Sequence, residues 1–69
     1  MEKEKITYML YLKDRMEFYL FLSLKEKGVN QQKYLYYLAQ ASNYKDLYEE
    51  ELKKAGITEE ELIELSKQQ

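Results

Sequence analysis

No cysteine, proline, histidine or tryptophan occurs in these 69 residues, and glycine occurs only twice. Without Cys, no disulfide can staple the fold and no thiolate can bind a metal or act as a nucleophile. Without His, the commonest metal ligand and the commonest acid–base group near neutral pH are both missing. With no Pro and so little Gly there is no linker, so the chain reads as one domain over 1–69. A domain this short buries only about 60% of its unfolded surface, which leaves an isolated core marginal. Disulfides and His- or Cys-based metal sites being excluded, self-association or folding against a partner remains.

Long apolar runs are missing as well. Tyr8 to Leu12 and Phe18 to Leu22 are separated by Lys13, Asp14 and Arg15. Neither run approaches the roughly 18 residues needed to span a bilayer. Met1-Glu2-Lys3-Glu4-Lys5 carries mixed charge with no small-residue cleavage site after it, unlike a signal peptide. A cytoplasmic protein is the expectation. Abundant Lys, Glu and Tyr suits an AT-rich genome, bacterial or phage.

The chain is 45% hydrophobic and 35% charged. Its two glycines divide it. Gly28 follows Lys25-Glu26-Lys27 and Gly56 follows Lys53-Lys54-Ala55. Each reads as the left-handed residue beyond a helix C-terminus, with cations in the last turn to meet the helix dipole. Helix starts follow both. Asn30 is an N-cap candidate, with Val29 and Tyr34 at the spacing of a hydrophobic staple. Thr58 and Glu61 form a capping box, flanked by Ile57 and Leu62 at the same staple spacing. Three helices result, about 4–27, 31–55 and 59–67: an antiparallel hairpin plus a short C-terminal helix.

Turning about 100° per residue, Tyr34, Tyr37, Leu38, Ala41, Tyr44, Tyr48, Leu52 and Ala55 share one stripe of the middle helix. Glu49 with Lys53 and Glu50 with Lys54 add favourable i,i+4 spacings. On the first helix, Ile6, Met9, Leu10, Leu12, Met16, Tyr19, Leu20 and Leu24 make a broad apolar face. Tyr11, Phe18, Phe21 and Leu22 lie elsewhere round that cylinder. An α+β alternative makes 5–24 a β-hairpin, because Ile6 to Leu12 and Phe18 to Leu24 also alternate with period two. Its turn, Lys13-Asp14-Arg15, lacks the Gly or Asn of tight hairpins.

Catalytic motifs are missing. Ser23, Ser42 and Ser66 have no nucleophile-elbow context, and no glycine-rich phosphate loop is present. Glu49-Glu50-Glu51 and Glu59-Glu60-Glu61 fan out round a helix, so they do not converge on one cation. The expectation is therefore no enzyme, no cofactor and no metal. DNA reading by a helix-turn-helix is disfavoured, because Tyr44 to Lys54 carries Asp46 and Glu49 to Glu51, which would repel phosphates. RNA or DNA binding by a helical dimer, through Lys5, Lys13, Arg15, Lys25 and Lys27, is the alternative.

Charge is divided along the chain. Residues 1–48 hold eight cations and six anions, whereas 49–69 hold three and seven. Such a division can set an antiparallel register in a dimer or steer a basic partner. Eight tyrosines are the other unusual feature. Tyrosine fills a small core poorly, because a buried hydroxyl needs a partner, but it anchors interfaces well. Two helices packed face to face leave Tyr11, Phe18 and Leu22 on one helix, and Tyr36 and Leu47 on the other, without cover. These five are the candidate partner or dimer contacts. The expected assembly is a homodimer with a four-helix core. The expected role is a non-enzymatic protein–protein interaction module, a regulator or inhibitor, with a structural assembly subunit as a further alternative.

Overall fold

The computed structural model describes residues 1–68, and every element among them is helical. In chain order, α1 spans Lys3–Glu26, α2 spans Gln31–Ala55 and α3 spans Glu59–Lys67. The β-hairpin alternative for 5–24 fails, since a single unbroken helix covers it. Leu alone fills five of those twenty positions, with two Met and two Lys, and their helix propensity outweighs the period-two coincidence.

Local chemistry sets each boundary. Asn30 Oδ1 accepts the Lys33 amide at 3.1 Å, but Val29 is 80% exposed, so no staple closes over it. At α3 both halves of the capping box are present: Thr58 Oγ1 accepts from the Glu61 amide, and Glu61 Oε1 from the Thr58 amide. Ile57 and Leu62 both join the core beneath it. Gly56 takes φ +69°, and the Ile57 amide returns to the Leu52 carbonyl, which closes α2 in a Schellman turn. Gly28 also has positive φ and stands just past the C-terminus of α1, as expected. Lys27 is already extended at φ −61°, ψ 122°, and the Val29 amide bonds the Glu26 carbonyl. This is a type II turn with Gly28 in its third position, where φ must be positive.

Burial follows a heptad seam. On α1, Met9, Leu12, Met16, Tyr19, Ser23 and Glu26 are all buried or half-buried; on α2 the same holds for Tyr34, Tyr37, Ala41, Tyr44, Tyr48, Glu51 and Ala55. Both series alternate steps of three and four residues, a period of 3.5. The expected α1 face used 3.6, which drifts by about 20° per heptad. Two corrections follow on α1: Leu20 and Leu24 are 40% and 66% exposed, while the polar Ser23, one heptad beyond Met16 on the seam, is buried. The Ser23 hydroxyl is satisfied by the Leu20 carbonyl at 2.7 Å. Of the two expected ion pairs on α2, Lys54–Glu50 forms at 3.3 Å; no Glu49–Lys53 pair forms among the described residues.

The third helix lies over the N-terminal part of α1. Leu62 is fully buried against a cluster of Ile6, Met9, Leu12 and Tyr48. Nine residues of helix reach about 13 Å, against about 36 Å for each hairpin helix. The molecule therefore has a three-helix end and a two-helix end, and measures 42 × 20 × 17 Å. Its radius of gyration, 13.8 Å, exceeds the roughly 11 Å of a compact domain of this length.

Two substitutions test the α3 connection by urea unfolding. Thr58→Ala removes the side-chain cap and should cost about 1 kcal/mol. Gly56→Ala meets no steric neighbour, yet should cost about 1 kcal/mol from the left-handed backbone alone. Unchanged midpoints in both variants would mean that α3 is not part of the cooperative unit.

Candidate functional site: an aromatic flank

Heptad positions divide the hairpin surface into two flanks. Tyr11, Phe18 and Leu22 of α1 fall on the same flank as Tyr36 and Leu47 of α2, because residues flanking the seam on the same side face the same way in an antiparallel pair. Tyr11, Phe18, Tyr36 and Leu47 are 49%, 42%, 58% and 45% exposed; Leu22 is half-buried.

Seam tyrosines connect three of these five. Tyr11 meets the edge of Tyr44 at a centroid distance of 6.5 Å. Tyr44 stacks on Tyr19 at 5.7 Å and 11°, and Tyr19 reaches Tyr37 at 6.3 Å. Tyr36 packs edge-on to Tyr37 at 5.5 Å, and Phe18 to Tyr19 at 5.4 Å. Six rings thus run without a gap from the middle of the hairpin towards the Gly28 turn. Leu22 and Leu47 stand beside this ladder rather than in it. Tyr19, Tyr37 and Tyr44 were legible as seam residues, but their spread onto the flank was not. A ring larger than the gap between two helices must lean out of it, and only the packed pair shows the direction.

Cations edge the aromatics. The Arg15 guanidinium sits 4.7 Å from the Phe18 ring centre, and the Lys25 ammonium 5.7 Å from that of Phe21. Both distances lie within cation–π range, worth about 0.5–1 kcal/mol at an exposed site. The neighbouring Tyr11 hydroxyl raises the Tyr44 phenol above its ordinary pKa.

On the opposite flank, at the junction with α3, the Tyr48 hydroxyl donates to Glu59 Oε1 at 2.9 Å. Lys13 pairs with Glu17 at 2.9 Å. Burial, and then the Glu59 carboxylate, push the Tyr48 phenol far above the usual range. The hydrogen bond to Glu17 holds Lys13 above its ordinary value, against the opposing effect of burial. All three resolved shifts move the group further from neutrality, so none makes a proton donor or acceptor poised near pH 7. No cluster of three or more Asp, Glu, His or Cys suited to a metal occurs among the described residues. No helix among them is long and apolar enough to cross a membrane.

Comparison with known proteins finds no matching family model, no matching curated protein and no matching solved structure.

The Tyr48–Glu59 bond gives a pH signature. Tyr48 holds its proton more tightly folded than unfolded, where phenols titrate near pH 10. Its contribution is full below about pH 10 and is lost as pH rises beyond that. Tyr48→Phe should cost about 1.5 kcal/mol at pH 7 and decline less steeply than wild type above pH 10. Denaturant melts at pH 7 and pH 10.5 measure both; parallel declines would remove the bond from the stability balance.

Proposed function

We propose that this chain is a small, non-enzymatic, cytoplasmic interaction protein. It works as a homodimer and acts as a regulator or inhibitor by presenting the aromatic flank to another protein. The observation that carries this is the ladder: six contacting rings, three of them on residues at least 42% exposed. Scattered surface apolar residues need no explanation, but a contiguous patch marks a contact surface. Tyrosines held by mutual packing lose little further freedom on binding, which suits them as anchors. Arg15 and Lys25 supply a charged rim and favour a partner with acids around an apolar centre.

Nucleic-acid binding is the second reading, because Lys25, Lys27 and Lys33 gather at the Gly28 end, where Glu26 is the only acid between residues 18 and 44. Bases stack on aromatic rings and phosphates pair with lysines, so this end has both components.

Binding energetics separate the two. A tagged chain recovered from its own cells after nuclease treatment should retain a protein partner. Tyr11→Ala and Tyr36→Ala should each weaken that partner's binding about tenfold or more, with helicity unchanged. Neutralising Lys25 and Lys27 should change it only a few-fold, mainly through association rate. If nuclease releases everything, and the lysine variants dominate with a steep salt dependence, the chain binds nucleic acid instead.

A further inference from the structure

The flank opposite the tyrosines is half covered. Ile6, Lys13, Leu20 and Lys27 repeat at heptad spacing and so share one side of α1. Ile6 packs with Leu62 of α3, and Glu59 of α3 acts on the Lys13 ammonium. Leu20, one heptad on, has nothing above it. The same change occurs on α2, where Leu52 joins the core beneath α3 and Leu38, two heptads earlier, stays open. Between them lies a groove of about 310 Å³ lined by Met16, Leu20, Leu38, Ala41, Ser42 and Lys45. Leu24 and Leu35 edge this side at 66% and 53% exposure. The face is thus a step: thick where α3 lies, and thin and leucine-rich over the remaining 20 Å or so of hairpin.

We propose that the thin half of this step is the seat of a second copy of the chain, docked antiparallel, so that each hairpin's Gly28 end abuts the partner copy's α3. The inference rests on the homodimer in the function proposed above and adds its face and direction. Three observations select this occupant. The molecule exposes 5174 Å², against about 4600 Å² for a compact monomer of its mass. That excess is comparable with the roughly 800 Å² each partner contributes to a stable interface. Shape decides the direction: parallel hairpins would bring two copies of α3 into collision, whereas antiparallel ones overlap thin half on thin half. Charge agrees. Lys27, in the heptad position of Leu20, marks one end of the step, and α3 opens with Glu59, Glu60 and Glu61 at the other. Antiparallel docking pairs these opposite charges twice, while parallel docking sets lysine against lysine. The aromatic flank stays free on the outside of each hairpin.

Sedimentation equilibrium on the full chain should give twice the 8.4 kDa monomer mass. Leu20→Glu with Leu38→Glu should return it to the monomer mass with its helical circular dichroism retained, since both side chains already meet solvent in one copy. Phe18→Glu, on the other flank, should leave the dimer intact. Direction is read by disulfides, which the cysteine-free chain makes unambiguous. Lys27→Cys chains mixed with Glu60→Cys chains should cross-link to each other faster than Lys27→Cys chains cross-link among themselves. A monomeric wild type would overturn both the homodimer and this seat. A dimer broken by Phe18→Glu but not by the leucine changes would overturn the seat and keep the homodimer. Faster Lys27→Cys self-linking would overturn the antiparallel direction.

Discussion

The packing of α1 on α2 along a 3.5-residue seam is the constraint on which the rest depends. It chooses which side chain of each turn is buried, and thereby assigns every other residue to one flank or the other. The seam passes through the polar Ser23, and Leu20 and Leu24 lie beside it on the α3 side, where α3 covers Ile6 but not Leu20. Small residues at Ser23 and Ala41 then leave room along the seam for Tyr19 and Tyr37, whose rings approach to 6.3 Å.

Tyrosine in that seam has a structural consequence of its own. A leucine can be enclosed between two helices, but a phenol hydroxyl must reach water or a polar partner. Tyr48 is the case with a partner: it is 4% exposed, and α3 brings Glu59 to its hydroxyl. Tyr19, Tyr37 and Tyr44 are only half-buried, and their rings meet those of Tyr11, Phe18 and Tyr36 on the open flank. One residue type at successive seam positions thus yields a closed core at one end and an aromatic surface at the other. The length of α3 decides where one gives way to the other.

Most of the backbone could be read from the sequence, because helix ends are written in local chemistry. Gly56 with its preceding lysines, Thr58 with Glu61, and Asn30 before Gln31 each satisfy orphan amides or carbonyls within a few residues. At Gly28 the left-handed residue just past α1 was legible; the type II turn that holds it was not, since it lies in Lys27, whose conformation no residue preference reveals. Positions around the helices were less legible. The five candidate contacts share one flank, since each lies on the same side of the seam. The open leucine groove was not legible, because it depends on how far α3 reaches: Ile6 and Leu52 are covered, whereas Leu20 and Leu38 in the same heptad positions are not.

The two flanks differ in kind as well as position. Aromatic rings on one side are already packed against each other, so a partner would meet a surface that keeps its shape. The leucine groove on the other has little to hold its floor except Met16 and Ala41, and that half of the hairpin has only two layers. A two-layer helical end with exposed leucines is the least self-sufficient part of a domain whose core is already small. Covering it therefore contributes to folding as much as to association. The tyrosine flank needs no such support, since its rings sit on the seam that already holds α1 to α2. The proposed dimer face and the proposed partner face would then share none of their leucines or tyrosines.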